Sequence, residues 1–195
     1  MPKQKEDLRV LRTRKLLYST LITLLQKQSI EDLSVVGICD MAMVHRTTFY
    51  AYFEDKYHLL TCLVEEIKHN ELEKLDKNMN ELNLKDFCRA AALTILNYIA
   101  EHEDIIRKIF ENNNNEKVMS VIRTSLERSI KDMVHAENKQ IGYKLPVYII
   151  STFFTGGIYN VFYFWLSNPE IHVTRIKWME YIDIILNDDL YTQIN

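Results

Sequence analysis

Between residues 46 and 52 the chain reads Arg-Thr-Thr-Phe-Tyr-Ala-Tyr, a set of side chains suited to one kind of chemistry. Arg46 carries a planar fork of donors that matches the acceptor edge of guanine, and Thr47 offers a hydroxyl and a methyl. The phenol of Tyr50 can reach a phosphate oxygen. Phe49 and Phe53 stand four apart, so on a helix they share an inward face and leave Arg46, Thr47, Tyr50 and Ala51 on the outward arc. Upstream, six cations (Lys3, Lys5, Arg9, Arg12, Arg14, Lys15) stand against two anions, Glu6 and Asp7. Such a run is ordinarily a solvated helix face, and becomes a phosphate-binding arm only beside a nucleic-acid-reading element.

Other chemistries find little support. The cysteines Cys39, Cys62 and Cys88 form no CxxC, so neither a disulfide framework nor a zinc ribbon is expected. Glu65 and His69 could share a helix face as metal ligands need, but no third ligand stands at fixed spacing. No nucleophile elbow, P-loop or GxGxxG occurs, and four glycines could hardly build one. No enzymatic activity, metal or cofactor is expected. The net charge of −3 and pI ≈ 6.1 announce no global basic field. A polar N-terminus without an apolar h-region argues against a signal peptide, and a cytoplasmic location is expected.

These side chains must be held by helices. Gly is 4 and Pro is 3 in 195 residues, whereas average usage would supply roughly 14 and 10. So few turn formers cannot serve a sandwich, a barrel or a doubly wound sheet. An all-α chain of about nine helices is predicted. The first spans 7–28, with Leu17, Leu21, Leu24, Leu25 and Gln28 on one face. Ser34 caps a short helix over 35–42, a break near Met43–Val44 follows, and a second short helix runs over 46–52. Asp55 caps a longer helix from Lys56 to about Leu75. Helical periodicity resumes over 87–101 and 104–110. Asn112–Asn115 reads as a loop, with Asn115 capping a helix over 116–138. Two last helices, 146–167 and 174–187, are split by Ser167-Asn168-Pro169.

Two short helices joined by a tight turn form the helix-turn-helix pattern. Here Ile38, Ala42 and Val44 sit where the pair must pack. Together with Arg46-Thr-Thr-Phe49-Tyr50-x-Tyr52-Phe53 and Glu54-Asp55-Lys56 opening the next helix, the stretch resembles the TetR family of bacterial transcription regulators over roughly residues 8–62. The resemblance implies a DNA-binding domain over 1–56 and an effector-binding and dimerisation domain over 57–195. It places Arg46, Thr47, Tyr50 and Ala51 on the major groove and Tyr50, Tyr52 and Lys56 on the DNA backbone. Ser34, His45 and Thr48 complete the DNA-facing set. In the family the turn usually carries Gly, where this chain has Met43, which predicts a strained or reshaped turn. The cap position, usually Ser or Thr, is His45, which caps, meets a phosphate or simply lies on the surface. Val36 replaces a residue that is often polar or basic, which weakens the first short helix's contribution.

The remainder is less specific. From Leu145 to Leu166 no charged residue occurs, long enough for a membrane span. The internal Pro146, Ser151, Thr152, Gly156, Gly157 and Asn160 argue instead for a buried or oligomer-forming helix. Phe153-Phe154-Thr-Gly156-Gly157-Ile158, followed by Trp165-Leu166 and Asn168-Pro169, resembles the penultimate helix of the family branch that includes the dihydroxyacetone-operon regulator. That likeness implies a dimer interface at Phe153, Gly156, Gly157, Asn160 and Phe164. Tyr98, Phe110, Met119, Tyr148 and Tyr159 are candidate lining residues of an effector pocket. The resulting expectation is a homodimeric regulator, most simply a repressor, on palindromic double-stranded DNA, governed by an unknown small effector. The alternative is a coactivator of the same fold, governed by a protein partner.

Overall fold

The computed structural model describes residues 8–74, 82–113, 116–171 and 173–186, and among them every regular element is helical. The order is α1 (Leu8–Leu25), a 3-10 turn (Ile30–Asp32), α2 (Val35–Ala42), α3 (Arg46–Tyr50), α4 (Lys56–Glu73), α5 (Leu84–Glu101), α6 (Glu103–Asn113), α7 (Glu116–Ile141), α8 (Val147–Ser167) and α9 (Arg175–Leu186). The all-α reading therefore holds. The chain divides into two compact units. One holds the described residues up to Glu66 with Asp104–Ile122, and the other holds Ile67–Glu103 with the described residues from Arg123 on.

In the first unit, Leu17, Leu21 and Leu25 of α1 are buried at the spacing the sequence shows. They meet a core that includes Ile38, Cys39 and Ala42 of α2, Phe49 and Phe53, and Leu59, Leu60 and Leu63 of α4. Each Leu, Ile and Phe among them contributes about 1.5–3 kcal/mol by leaving water. The caps match their residues. Ser34 Oγ accepts the Gly37 N–H at 3.0 Å, and Asp55 Oδ1 accepts the N–H groups of Tyr57 and His58, each at 2.8 Å.

Three expectations need correction. The first helix stops at Leu25, and Gln28 is exposed beyond it. The second short helix ends at Tyr50 rather than 52. Asn112 and Asn113 are no loop but the last turn of α6, and Asn113 is 0% exposed. Asn114 and Asn115, including the expected cap, lie outside the described residues.

In the second unit, Leu84, Phe87 and Cys88 of α5 pack with Ile130, Met133 and Val134 of α7 and Ile150 of α8. Glu137 accepts both the Leu84 N–H, at 3.0 Å, and the Tyr143 hydroxyl. Arg89 of α5 forks onto the Asp183 carboxylate of α9, and Trp165 of α8 meets Trp178 of α9 with ring centroids 6.0 Å apart. Helix α8 is long and apolar enough to cross a membrane. It nevertheless buries Ile150, Ser151, Thr155, Phe162 and Trp165 within its own unit.

Candidate nucleic-acid interface

The joint between α2 and α3 is built from backbone hydrogen bonds. Val44 N–H reaches back to Cys39 O at 3.0 Å and Met43 N–H to Asp40 O at 3.2 Å, a Schellman-type closure. That closure needs a left-handed residue, and Met43 supplies it at φ 53°, ψ 40°. Among the described residues it is the one non-glycine with positive φ. Its side chain is 93% exposed, so no packing compensates the backbone strain. The turn is left-handed at a methionine rather than a glycine.

His45 then occupies the N-cap of α3 at φ −64°, ψ 142°, and its imidazole makes no capping bond. Of the roles the sequence left open for it, capping is removed. Phe49 at 0% and Phe53 at 3% exposure anchor the segment inward, with ring centroids 5.6 Å apart. Tyr18 of α1 closes on Phe53 at 6.0 Å. This anchoring turns His45, Arg46, Thr47, Tyr50, Ala51 and Tyr52 to solvent together, with Thr48 half-buried behind them. One exposed arc thus offers a guanidinium, a hydroxyl and two phenols.

Lys56 has a more specific place than sequence suggested. Its Nζ donates to the carbonyls of Glu31 and Leu33, both at 2.8 Å, and so holds the connection between α1 and α2. An ammonium has three donors, so one remains beyond these two bonds. Ser34 is exposed, but its hydroxyl serves the α2 cap. In the basic arm Arg9, Arg12 and Lys15 are exposed. Arg14 instead turns onto Tyr18 Oη at 3.1 Å and Glu66 at 3.4 Å. Lys3 and Lys5 lie outside the described residues.

The candidate pocket residues fall in different units. Phe110 (buried) and Met119 belong to the first, while Tyr98, Tyr148 and Tyr159 belong to the second. Tyr148 is 64% exposed. A cavity of about 290 Å³ lies elsewhere, against Val161 of α8 and Trp178, Tyr181, Ile182, Ile184 and Ile185 of α9. On α8, Phe153 (75%) and Phe164 (52%) face solvent, as do Gly157 and Asn160, with Gly156 half-exposed. A Cβ built at Gly156 or Gly157 meets nothing within 4 Å. His69 pairs with Glu73, at 3.1 Å. Among the described residues no three His, Cys, Asp or Glu side chains gather as a metal site.

Sequence reasoning missed Asn113, whose amide joins α6 to the end of α1, because an Asn run reads locally as a loop. Nothing in the local pattern signals a partner so distant in the chain.

Comparison with known proteins bears on the whole chain. Residues 88–172 match a family model described as the transcriptional regulator C-terminal region, of TetR type. No curated protein matches the chain in sequence. Solved structures do match. The dihydroxyacetone kinase operon activator DhaS aligns at 19% identity and TM-score 0.56 over 91% of this chain and 96% of its own. A TetR-family regulator from Syntrophomonas wolfei aligns at 16% identity and TM-score 0.63, over 93% and 98%. The fatty acid degradation regulator FadR from Bacillus halodurans aligns at 13% identity and TM-score 0.60, over 99% and 100%. With that C-terminal region and this architecture from end to end, the chain has the fold of the TetR family of transcription regulators.

Proposed function

We propose that the protein is a cytoplasmic, homodimeric DNA-binding regulator whose head reads a palindromic operator. The observation that carries the reading is the solvent-facing arc of Arg46, Thr47, Tyr50 and Ala51, fixed from behind by Phe49 and Phe53. Arg46 and Thr47 would contact base edges, while Tyr50, Tyr52, His45 and the remaining donor of Lys56 would hold phosphates. The exposed cations Arg9, Arg12 and Lys15 of α1 suit the same backbone. Two heads would occupy successive major grooves about 34–36 Å apart.

The two-fold partner would seat on the uncharged face of α8, at Phe153, Gly156, Gly157, Asn160 and Phe164. An isologous pairing there supplies the axis that a palindrome requires. Operator occupancy blocks transcription, and an effector in the C-terminal helices would shift the dimer to a head spacing that no longer fits. The test is selection from a random-sequence duplex pool by the purified protein, with sedimentation of the complex. A recovered inverted repeat bound by two chains supports the reading, and a protein that retains no duplex at low salt refutes it.

A second reading is favoured by one likeness: DhaS is described as an operon activator. In that version the head is the same, but the exposed α8–α9 face receives a protein partner and transcription rises. A reporter placed under the selected site separates the two by the sign of its response.

A further inference from the structure

Polar side chains that are wholly buried need a reason, because an unpaired amide in the interior is strongly unfavourable. Asn113, the last residue of α6, is 0% exposed, and its amide is used from both ends. Oδ1 accepts the Ile30 N–H at 2.8 Å, across 83 residues of sequence. Nδ2 donates to Leu25 O at 2.9 Å and Gln28 O at 3.3 Å. Those are the last carbonyl of α1, a carbonyl of the connection that follows it, and the first amide of the 3-10 turn. Asn112 adds a donor to Gln26 O at 3.0 Å. From its far side the same connection is held by Lys56 on Glu31 O and Leu33 O. Residues 25–33 are therefore clamped between the end of α6 and the start of α4, and Ser34 follows at once as the cap of α2.

Resting on the DNA-binding reading above, we infer that Asn113 is a positioning residue for DNA recognition. Through the 25–33 connection it sets the stance of α2 and α3 while touching no DNA itself. Three hydrogen bonds to one side chain tie the end of α6 to that connection. No flexible linker intervenes.

Asn113→Leu keeps the branching at Cγ and removes all three bonds, at the cost of added bulk, and Asn113→Ser, which is smaller and retains a hydroxyl for the Ile30 amide, separates lost bonds from overpacking. Amide exchange is followed over 25–53 in the full chain, and affinity is measured for a duplex recovered from the random pool. The expected result is native helix content, exchange at Ile30 and across α2–α3 accelerated tenfold or more, and duplex affinity lowered tenfold or more. The salt dependence should keep its slope, since no phosphate contact is lost. Partial recovery in the Ser variant relative to Leu would mark the hydrogen bond as the agent. A purely structural residue would lower thermal stability while leaving α2–α3 exchange and affinity unchanged well below the transition, and that outcome overturns the inference. A wild type that recovers no duplex would refute the DNA reading alone, because the exchange arm decides the positioning role by itself.

Discussion

The ammonium of Lys56 lies 2.8 Å from the carbonyl oxygen of Leu33, and a second carbonyl, that of Glu31, sits at the same distance. A residue assigned to the DNA backbone by resemblance is thus also an internal brace. Both tasks are compatible, because they use different donors of one charge.

Replacing Lys56 by Ala should act twice. Loss of two charge-assisted bonds to backbone carbonyls should lower stability by about 1–2 kcal/mol, discounted for partial exposure. Loss of one phosphate contact should weaken binding to all duplexes alike and reduce the slope of log K against log salt by about one. Urea melts and salt titrations measure the two effects separately. An unchanged salt slope would restrict Lys56 to the brace.

Arg46→Ala should weaken binding to the selected operator by about 1–3 kcal/mol and relax the preference at one base position. Repeating the pool selection with the variant reads out that position. If the variant selects the parent's sequence with undiminished stringency, Arg46 does not read a base.

Met43→Gly should raise stability by about 0.5–1 kcal/mol. Removing the left-handed strain gains roughly 1–2 kcal/mol, and the freer unfolded chain offsets roughly half of it. Nothing is lost from packing, since the Met43 side chain is almost wholly solvated. Chemical denaturation checks the sign, with Met43→Ala as the control that should show no gain.

Gly157→Leu tests the α8 face cleanly, because a Cβ at Gly157 meets nothing within the chain. The variant should fold as wild type and dimerise less, by about 2–6 kcal/mol for the two symmetric overpacked contacts. Sedimentation equilibrium across the micromolar range gives the answer. Undiminished dimerisation in both this variant and Gly156→Leu would move the interface elsewhere.

Burial pushes the Cys88 thiol up from 9.0 to about 12. Between those values the unfolded chain has released the proton and the folded chain retains it, so stability holds below about pH 9 and falls as pH rises toward 12. Tyr98 and Tyr143, whose phenols burial also raises, add to that fall from about pH 10 upward. Cys88→Ala should flatten the part of the slope nearest pH 9 in stability-versus-pH curves. Native Cys88 should also resist a thiol reagent at pH 8, whereas the unfolded chain reacts.

The two faces of the 46–53 segment were legible because their pattern is local. Phe49 and Phe53 at helical spacing state which face turns inward, and the remaining types then announce their own chemistry. The left-handed position at Met43 was legible too, from a family turn that ordinarily holds glycine. Asn113 was not. The preference of Asn for turns is a property of its neighbours along the chain, while its role here is set by carbonyls and an amide 83 to 88 residues away. The Lys56 brace was hidden for the same reason, since backbone carbonyls leave no trace in residue type. The exposed face of α8 lay between these cases. Its lack of charge was plain, but a membrane span, a core helix and an interface all share that signature.

Because Asp104–Ile122 belongs to the compact unit of the N-terminal helices, that unit is not complete in the order of synthesis. When the first 66 residues have left the ribosome, the Ile30 amide and the Leu25 carbonyl still lack the partner that Asn113 later provides. Closing a connection of that length carries a chain-entropy cost of about 4 kcal/mol by logarithmic scaling. The helix-turn-helix can form its local turns early, but its final setting waits for α6. A nascent chain therefore cannot complete the packing around α2 and α3 before residue 113 has been made. The final setting of the 25–53 segment is in this way placed behind synthesis of α5 and α6, and ahead of α7, α8 and α9.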